Sequence, residues 1–400
     1  MASNAKNLAE YLNNQTTSAT ADIADGSITT DKLAADAVTA AKLADNAVVT
    51  ANISNSAVTS GKVNPAGLNL GRRNIVMNGN MSVAQRQSLL GNQTGISNGY
   101  TGVDRFKFYT NSAARVSGLQ STGTAANGFP KALQIDVTTA DTSVAAGDFA
   151  AVQTIFEGKD LQHLKWGTSS AESLTLSFWV KSPKTGVHWV ELYGVDATKY
   201  NSAQYTVSSA DTWEKKTVTF AGETGSSITD DNNTRLYIQW ILLSGSTYTS
   251  GTHPGNVWHA TNANRHPGNQ NIMDNTSNNF YLTGVQLETG STATDFEFLR
   301  HSDNLNACYR YFQTVSAYAE YSLGTSGSFS GHRTTFLGGG MRAAPTFTTQ
   351  SNSGSSNSSL NGFGSKAAAG ERINYAMNFA TTNSNYMYRS VTSVADSELA

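Results

Sequence analysis

Leu174-Thr-Leu-Ser-Phe-Trp-Val180 is the stretch that decides how this chain folds. In an extended backbone, Leu174, Leu176, Phe178 and Val180 fall on one side, and Thr175, Ser177 and Trp179 on the other. That alternation marks a strand with a core face. Strand-like runs recur at 103–109, 131–137, 150–156, 189–195, 213–220, 236–243 and 280–287, separated by turns rich in Gly, Ser, Asn and Asp. In 213–220 the alternation changes phase, which suits a sheet edge or a bulge. Many strands with hardly a helical pattern predict an antiparallel sandwich over 67–299, with a jelly roll as the expected version.

The composition agrees. Four hundred residues leave room for two or three domains, and 38% apolar with 14% charged residues suits turn-rich β structure with an uncharged, hydrogen-bonding surface. A net charge of −2 with both signs scattered offers no basic patch for nucleic acid and no polybasic stretch for anionic membrane. Cys308 is the single cysteine, which excludes an intrachain disulfide and a multi-cysteine metal site. No window approaches the roughly 18 apolar residues of a membrane span. The opening MASNAKNLAEYLNN lacks the regions of a signal peptide, so synthesis in a cytoplasm without export is expected.

Upstream of the sandwich the text is periodic. Residues 22–64 repeat every ten positions: DGSITTDKLA, ADAVTAAKLA, DNAVVTANIS and NSAVTSGKVN. One apolar column holds Ile28, Val38, Val48 and Val58; the other holds Ile23, Leu33, Leu43, Ile53 and Val63. An apolar residue every five positions fits neither a helix nor a strand. A short extended piece followed by a helical turn fits, but one copy has nothing to bury its anchors against. Several chains wound on one axis do, so a homotrimeric fibrous shaft over 21–66 is expected. Before it, Leu8, Tyr11 and Leu12 share a helical face, and 1–20 is expected to dock the shaft to a larger body.

Downstream, Leu305, Cys308, Tyr309 and Phe312 have helical spacing, predicting a connecting helix over 300–316 with Cys308 as a small core residue. A smaller β module is expected over 317–400. Its strands are read at 328–336, 346–350, 372–379 and 386–391, with a Ser/Asn/Gly-rich loop at 351–365. So small a core is expected to lean on trimerisation.

Several of these texts resemble bacteriophage tail fibre proteins. The DGSIT, AAKLA and DNAVV units are similar to the decapeptide shaft of such fibres, with Asp31 and Asn52 as departures. Asn74-Ile-Val-Met-Asn-Gly-Asn80, the stretch at Tyr100, Asp104 and Arg105, Ser177-Phe-Trp-Val-Lys181, Asp211-Thr-Trp213, Thr283-Gly-Val-Gln-Leu-Glu288 and Asp295-Phe-Glu-Phe298 resemble, in order, the landmarks of their carbohydrate-binding-module-like jelly roll. The 300–316 boundary is similar too, with Asp303-Asn-Leu-Asn306 in place of the usual acidic turn. MRAAPT (341–346) and the terminal ADSEL resemble the distal module. The resemblance implies a virion tail fibre, attached through its N-terminus to tail or adaptor proteins, that binds host surface polysaccharide or an outer-membrane receptor. A polysaccharide-degrading virion enzyme and a head or neck decoration fibre are the alternatives.

No GxSxG, HExxH, Walker loop or paired-carboxylate motif is present, so no catalytic residue is assigned. The richest stretch for recognition is 244–279. It is long and polar, and it carries Tyr248, His253, Trp258, His259, Arg265 and His266. Aromatic faces ringed by hydrogen-bonding groups suit sugars; the two His-Pro-Gly triplets also invite a metal reading. A third reading makes the loop a structural insertion against a neighbouring subunit. The 317–400 module is also expected to be the distal receptor-binding tip, where Tyr386 and Tyr388, alternating on one strand face, are candidate receptor or glycan contacts together with Tyr375 and the 351–365 loop; core packing is the other reading of the tyrosines. Jelly-roll sugar-binding modules often hold a structural Ca²⁺, for which Asn78, Asn80 and Asp295 are the candidates, although Asn78-Gly79 also reads as a turn.

Overall fold

The structure, a computed structural model, describes residues 72–399 apart from 92, 127, 323–328, 337–340, 344, 355–357, 367–373 and 382–385. They belong to one unit, Ala66–Ala400. The expected shaft (Ile23 to Val63) and the docking residues Leu8, Tyr11 and Leu12 lie outside the described residues.

Two six-stranded antiparallel sheets form the larger part. The first runs β1(Gln93–Ile96), β4(Arg115–Ala126), β5(Phe129–Thr139), β12(Asn279–Thr289), β7(Leu174–Lys181), β10(Glu214–Phe220). The second runs β2(Asn98–Tyr100), β3(Lys107–Thr110), β6(Phe149–Glu157), β11(Thr234–Ser244), β8(Gly186–Gly194), β9(Lys199–Val207). The pairing gives the topology. β8 pairs with β9, β7 with β10, β6 with β11 and β5 with β12, so β5–β12 form one long doubled ribbon. Successive rungs of that ribbon fall alternately in the two sheets, which is a jelly roll.

Alternation places the core between the sheets. Leu174, Leu176, Phe178 and Val180 are all buried there. Phe178 on the first sheet meets Tyr205 and Trp240 on the second edge-on, at 5.2 and 5.8 Å between centroids. Emptying such a site by Phe→Ala costs about 3–5 kcal/mol. The phase change at 213–220 marks an edge strand, β10.

The quoted landmarks are structural seals. Asn78 holds a left-handed backbone (φ 57°) and donates from Nδ2 to the carbonyls of Val83 and Asp104. A Cβ on Gly79 would lie 2.0 Å from the carbonyl oxygen of Val285, so only glycine lets this turn meet β12. Asn74 accepts from Leu287 N–H and donates to the Val285 carbonyl, tying the start of the sandwich to its last strand.

The helix expected over 300–316 is shorter. α3 spans His301–Tyr309, after α1(Gln85–Leu90) and α2(Ser246–Thr249), and Phe312 already opens β13(Phe312–Ser322). From Phe312 onward every residue of β13 pairs with a partner in 386–396, and that cross-strand pairing overrides the helical spacing of Phe312. Cys308 is buried, as expected. The C-terminal part has two three-stranded sheets, β13-β18(Tyr386–Asp396)-β15(Thr346–Gly354) and β14(Phe329–Phe336)-β17(Asn374–Thr381)-β16(Ser358–Lys366). Much of 351–365 is therefore strand: cross-strand pairing outweighs the weak β-propensity of Ser, Asn and Gly.

ADSEL returns to the jelly roll as a strap. Ser397 N–H donates to the Tyr311 carbonyl at 2.8 Å. Arg342, from MRAAPT, donates to the carbonyls of Ser397, Glu398 and Asn232. Glu398 pairs with Arg86 (3.1 Å) and with Arg105, and Asp396 with Arg86 (3.1 Å). Leu399 packs with Ile155, Tyr311, Met77 and Tyr237.

Candidate glycan-binding groove

The outer face of the second sheet carries one polar residue at a common level on each of five adjacent strands. In register, Lys107 on β3 stands beside Gln153 on β6, Gln239 on β11, Glu191 on β8 and Ser202 on β9. Each has apolar or core-facing neighbours in sequence: Val152 before Gln153, Ile238 and Trp240 around Gln239, Val190 and Leu192 around Glu191. Four strand spacings of about 4.8 Å make this row on the order of 19 Å long.

Aromatic rows flank it. Two residues along each strand, Tyr237, Tyr193 and Tyr200 stand in register. Tyr193 stacks on Tyr200 at 4.9 Å and leans on Tyr237 at 5.8 Å. On the other side Tyr109 and Tyr248 meet Phe149 at 6.3 and 5.6 Å. Between the rows is a groove of about 410 Å³, lined by both aromatic sets together with Lys107, Gln153, Gln239, Asn98, Asn111 and Arg265. Strand alternation turns all of this outward while Phe108, Val152, Ile238 and Val190 enter the core.

The floor is held by a bonded chain. Gln153 Nε2 donates to Gln239 Oε1 (2.7 Å), and Gln239 Nε2 to Glu191 Oε1 (3.2 Å). Arg265 grips Glu191 through Nη2 (2.6 Å) and Nε (2.9 Å), and Ser202 Oγ donates to it at 2.8 Å. Burial alone would raise the Glu191 carboxyl, but Arg265 and His266 more than offset it and hold it well below the usual carboxylate range. The Arg265 guanidinium also lies 3.8 Å from the Tyr200 ring centroid and 4.9 Å from that of Tyr248.

Glu191, His266 and Ser244 form a line. His266 Nε2 is 3.0 Å from Glu191 Oε2, and Nδ1 is 2.9 Å from Ser244 Oγ. Burial lowers the His266 pKa, so the neutral ring donates from Nε2 to Glu191 and accepts from the Ser244 hydroxyl at Nδ1. His266 is 0% exposed, and neither it nor Ser244 lines the groove. A buried ring with a depressed pKa is a poor general base. No carboxylate lines the groove either, so the paired acids of glycoside hydrolysis are missing from its lining.

Of the six residues singled out in 244–279, Tyr248 and Arg265 line the groove. The other four hold the loop to this chain's own jelly roll. Trp258 donates Nε1–H to the Ala221 carbonyl (2.7 Å) and meets Trp166 edge-on at 4.9 Å. His259 exchanges backbone hydrogen bonds with Tyr200, covering the open edge of β9. His253 lies against Trp189 at 4.6 Å and sits 3.0 Å from the Ser202 carbonyl. Burial lowers the pKa of both His253 and His259.

The calcium candidates do not converge. Asn78 and Asn80 use their side-chain oxygens on the N–H groups of Val83 and Ser82, and Asp295 is exposed. Among the described residues no group of three His, Cys, Asp or Glu side chains is placed to hold a metal. Tyr386 and Tyr388 occupy one face of β18, opposite Ser322 and Glu320. Tyr375 lies on β17 opposite Thr335 and Ser365.

No protein-family model and no curated protein matches the chain. Similar solved structures include the enzymatically active domain of tailspike protein 4 of bacteriophage CBA120, 10% identical over 54% of this chain and 21% of that one, with TM-score 0.29. The chain thus spans about a fifth of that tailspike. A family 11 carbohydrate-binding module of a cellulosomal cellulase of Clostridium thermocellum is 13% identical over 50% of this chain and 96% of its own, with TM-score 0.26. A family 61 module in complex with β-1,4-galactotriose is 9% identical over 55% and 99%, with TM-score 0.26. Likenesses this low decide nothing about the site, and the jelly roll rests on its own strand pairing.

Proposed function

We propose that this protein binds polysaccharide in the groove on the second sheet. The observation that carries the reading is the hydrogen-bonded polar row between two aromatic rows. Sugar hydroxyls need fixed donors and acceptors, and pyranose C–H faces need flat apolar partners. Gln153, Gln239, Asn98 and Asn111 supply the first, and Tyr193, Tyr200, Tyr109 and Tyr248 the second. Binding is non-covalent in this reading, supported by the absence of a carboxylate from the lining and by the burial of His266.

The resemblance of the 22–64 repeat to tail fibre shafts sets the biological frame: adsorption of a virion to its host, with the jelly roll contacting surface glycan. Weak single-site contacts gain strength when several copies engage one polymer. The shaft supplies those copies if it assembles as expected. Affinity electrophoresis of the full chain in gels cast with host surface polysaccharide tests the binding reading. Retardation that Tyr200→Ala with Tyr193→Ala abolishes supports it; unchanged retardation overturns the groove as the site. Release of new reducing ends in the same incubation would overturn binding alone and favour a degrading enzyme. Immunogold imaging that places the chain on the capsid or neck would favour a decoration fibre.

A further inference from the structure

We propose that the groove selects an acidic glycan, with an anionic substituent of the sugar (a uronate carboxylate or a sulfate ester) seated on Lys107; the inference rests on the groove reading above. Lys107 begins the polar row and is half-buried. Among the described residues its ammonium makes no hydrogen bond and no ion pair, while every other cation in the lining is already engaged. Arg265, the second lining cation, is taken up in two bonds by Glu191. Glu398 is the acid whose field reaches Lys107, and it is held by Arg86 and Arg105. No Asp or Glu lines the groove. A neutral sugar seated there covers a half-buried ammonium without giving it a counter-charge, which costs desolvation. An anionic sugar supplies a charge-assisted bond, about twice as strong as a neutral one. The single compact charge on a flexible stem accepts either a carboxylate or a sulfate.

The test uses the full chain and immobilised polygalacturonate, hyaluronan and chondroitin sulfate. Each is paired with its carboxyl-reduced or desulfated form, and a neutral β-glucan and a galactan are included. The expected result is that at least one acidic polymer binds tenfold or more tighter than its neutralised form. Lys107→Gln removes that difference, and Lys107→Arg keeps it. Raising salt from 0.05 to 0.5 M weakens acidic binding in the parent and not in Lys107→Gln. Which of the two modifications abolishes the preference distinguishes carboxylate from sulfate. Equal binding of the acidic and neutralised forms, or binding of neutral polymers alone that Tyr193→Ala abolishes, overturns the acidic preference and leaves the groove reading standing. No binding to any polymer on the panel overturns both.

Discussion

Replacing Glu191 by glutamine isolates what the groove floor costs and does. The carboxylate accepts hydrogen bonds from Arg265 (2.6 and 2.9 Å), Ser202 (2.8 Å), His266 (3.0 Å) and Gln239 (3.2 Å), with the side chain fully buried. Glutamine keeps the shape, loses the charge and turns an NH₂ toward groups that are themselves donors. The Arg265 guanidinium, 7% exposed, is then a buried cation without a counter-charge. Breaking a buried pair from one side costs about 3–5 kcal/mol. At about 2–4 °C per kcal/mol for a unit of 150–250 residues, the melting midpoint should fall by roughly 6–20 °C. Urea unfolding followed by tryptophan emission, with calorimetry beside it, reads this directly. A second variant, Glu191→Leu with Arg265→Met, removes both charges and should recover part of the loss, the remainder being the acceptor that Ser202, His266 and Gln239 lose. On the proposed groove reading, both variants should lose glycan binding, because Gln239 no longer has its fixed acceptor. A Glu191→Gln protein within about 1 kcal/mol of the parent would refute the reasoning, as would a double variant less stable than the single one.

Three further outcomes are expected. Glu398→Gln leaves Arg86 and Arg105 without their shared carboxylate; limited proteolysis should release the 317–400 module at a protease dose that spares the parent, and an identical digestion pattern would sink the strap. His266 has a folded pKa below its unfolded value of about 6.5, so the unfolded chain takes up that proton first. Its contribution is present above that pH and fades as pH falls below it. Asp104, pushed up to about 6 mainly by burial, acts in the opposite sense: its contribution is present below the unfolded carboxylate pKa and fades as pH rises through 6. The urea midpoint of the parent relative to His266→Asn should therefore shrink between pH 7.5 and 5; a constant difference would contradict the neutral ring. Cys308 is buried and its thiol pushed well up by burial, so a thiol reagent should label it only on unfolding, and rapid labelling of the folded chain would argue against its burial.

Much of the jelly roll could be read from residues. Alternation located β7, β8, β11 and β12 because their core-facing side chains are large and regularly spaced. It passed over β4 and β9. Arg-Val-Ser-Gly-Leu-Gln-Ser-Thr-Gly and Lys-Tyr-Asn-Ser-Ala-Gln-Tyr-Thr-Val contain too few apolar residues to show a period, and their pairing with β5 and β8 is a tertiary fact. The groove was half legible. Tyr248 and Arg265 stood out in a long polar loop, but Gln153, Gln239, Glu191 and Tyr193 sit inside apolar strands, where they read as ordinary strand text. A signal was there: one polar residue at an outward position in each of three runs, Val152-Gln-Thr154, Ile238-Gln-Trp240 and Val190-Glu-Leu192. Single strands do not show that these residues share one level; only register does.

Under the proposed glycan-binding reading, a row held in so costly a place is ordered before its ligand arrives. A flexible polar surface must be ordered when a glycan arrives, and each immobilised side chain costs about 0.5–1.5 kcal/mol. Here Gln153 and Gln239, 6% and 5% exposed, are ordered beforehand by bonds that end on Glu191. The rims are ordered from outside the sheet. The 244–279 loop fixes Tyr248 and Arg265 on one side. On the other, the strap packs Leu399 against Ile155 and Tyr237, while Glu398 acts on Lys107 through its field. Residues of ADSEL that need not touch a ligand thus back one aromatic wall, and Glu398 adds a field at Lys107 that opposes the larger effect of burial. Loosening the strap should weaken glycan binding and alter its salt dependence together, whereas damage confined to Tyr200 should weaken binding and leave the salt dependence as it was.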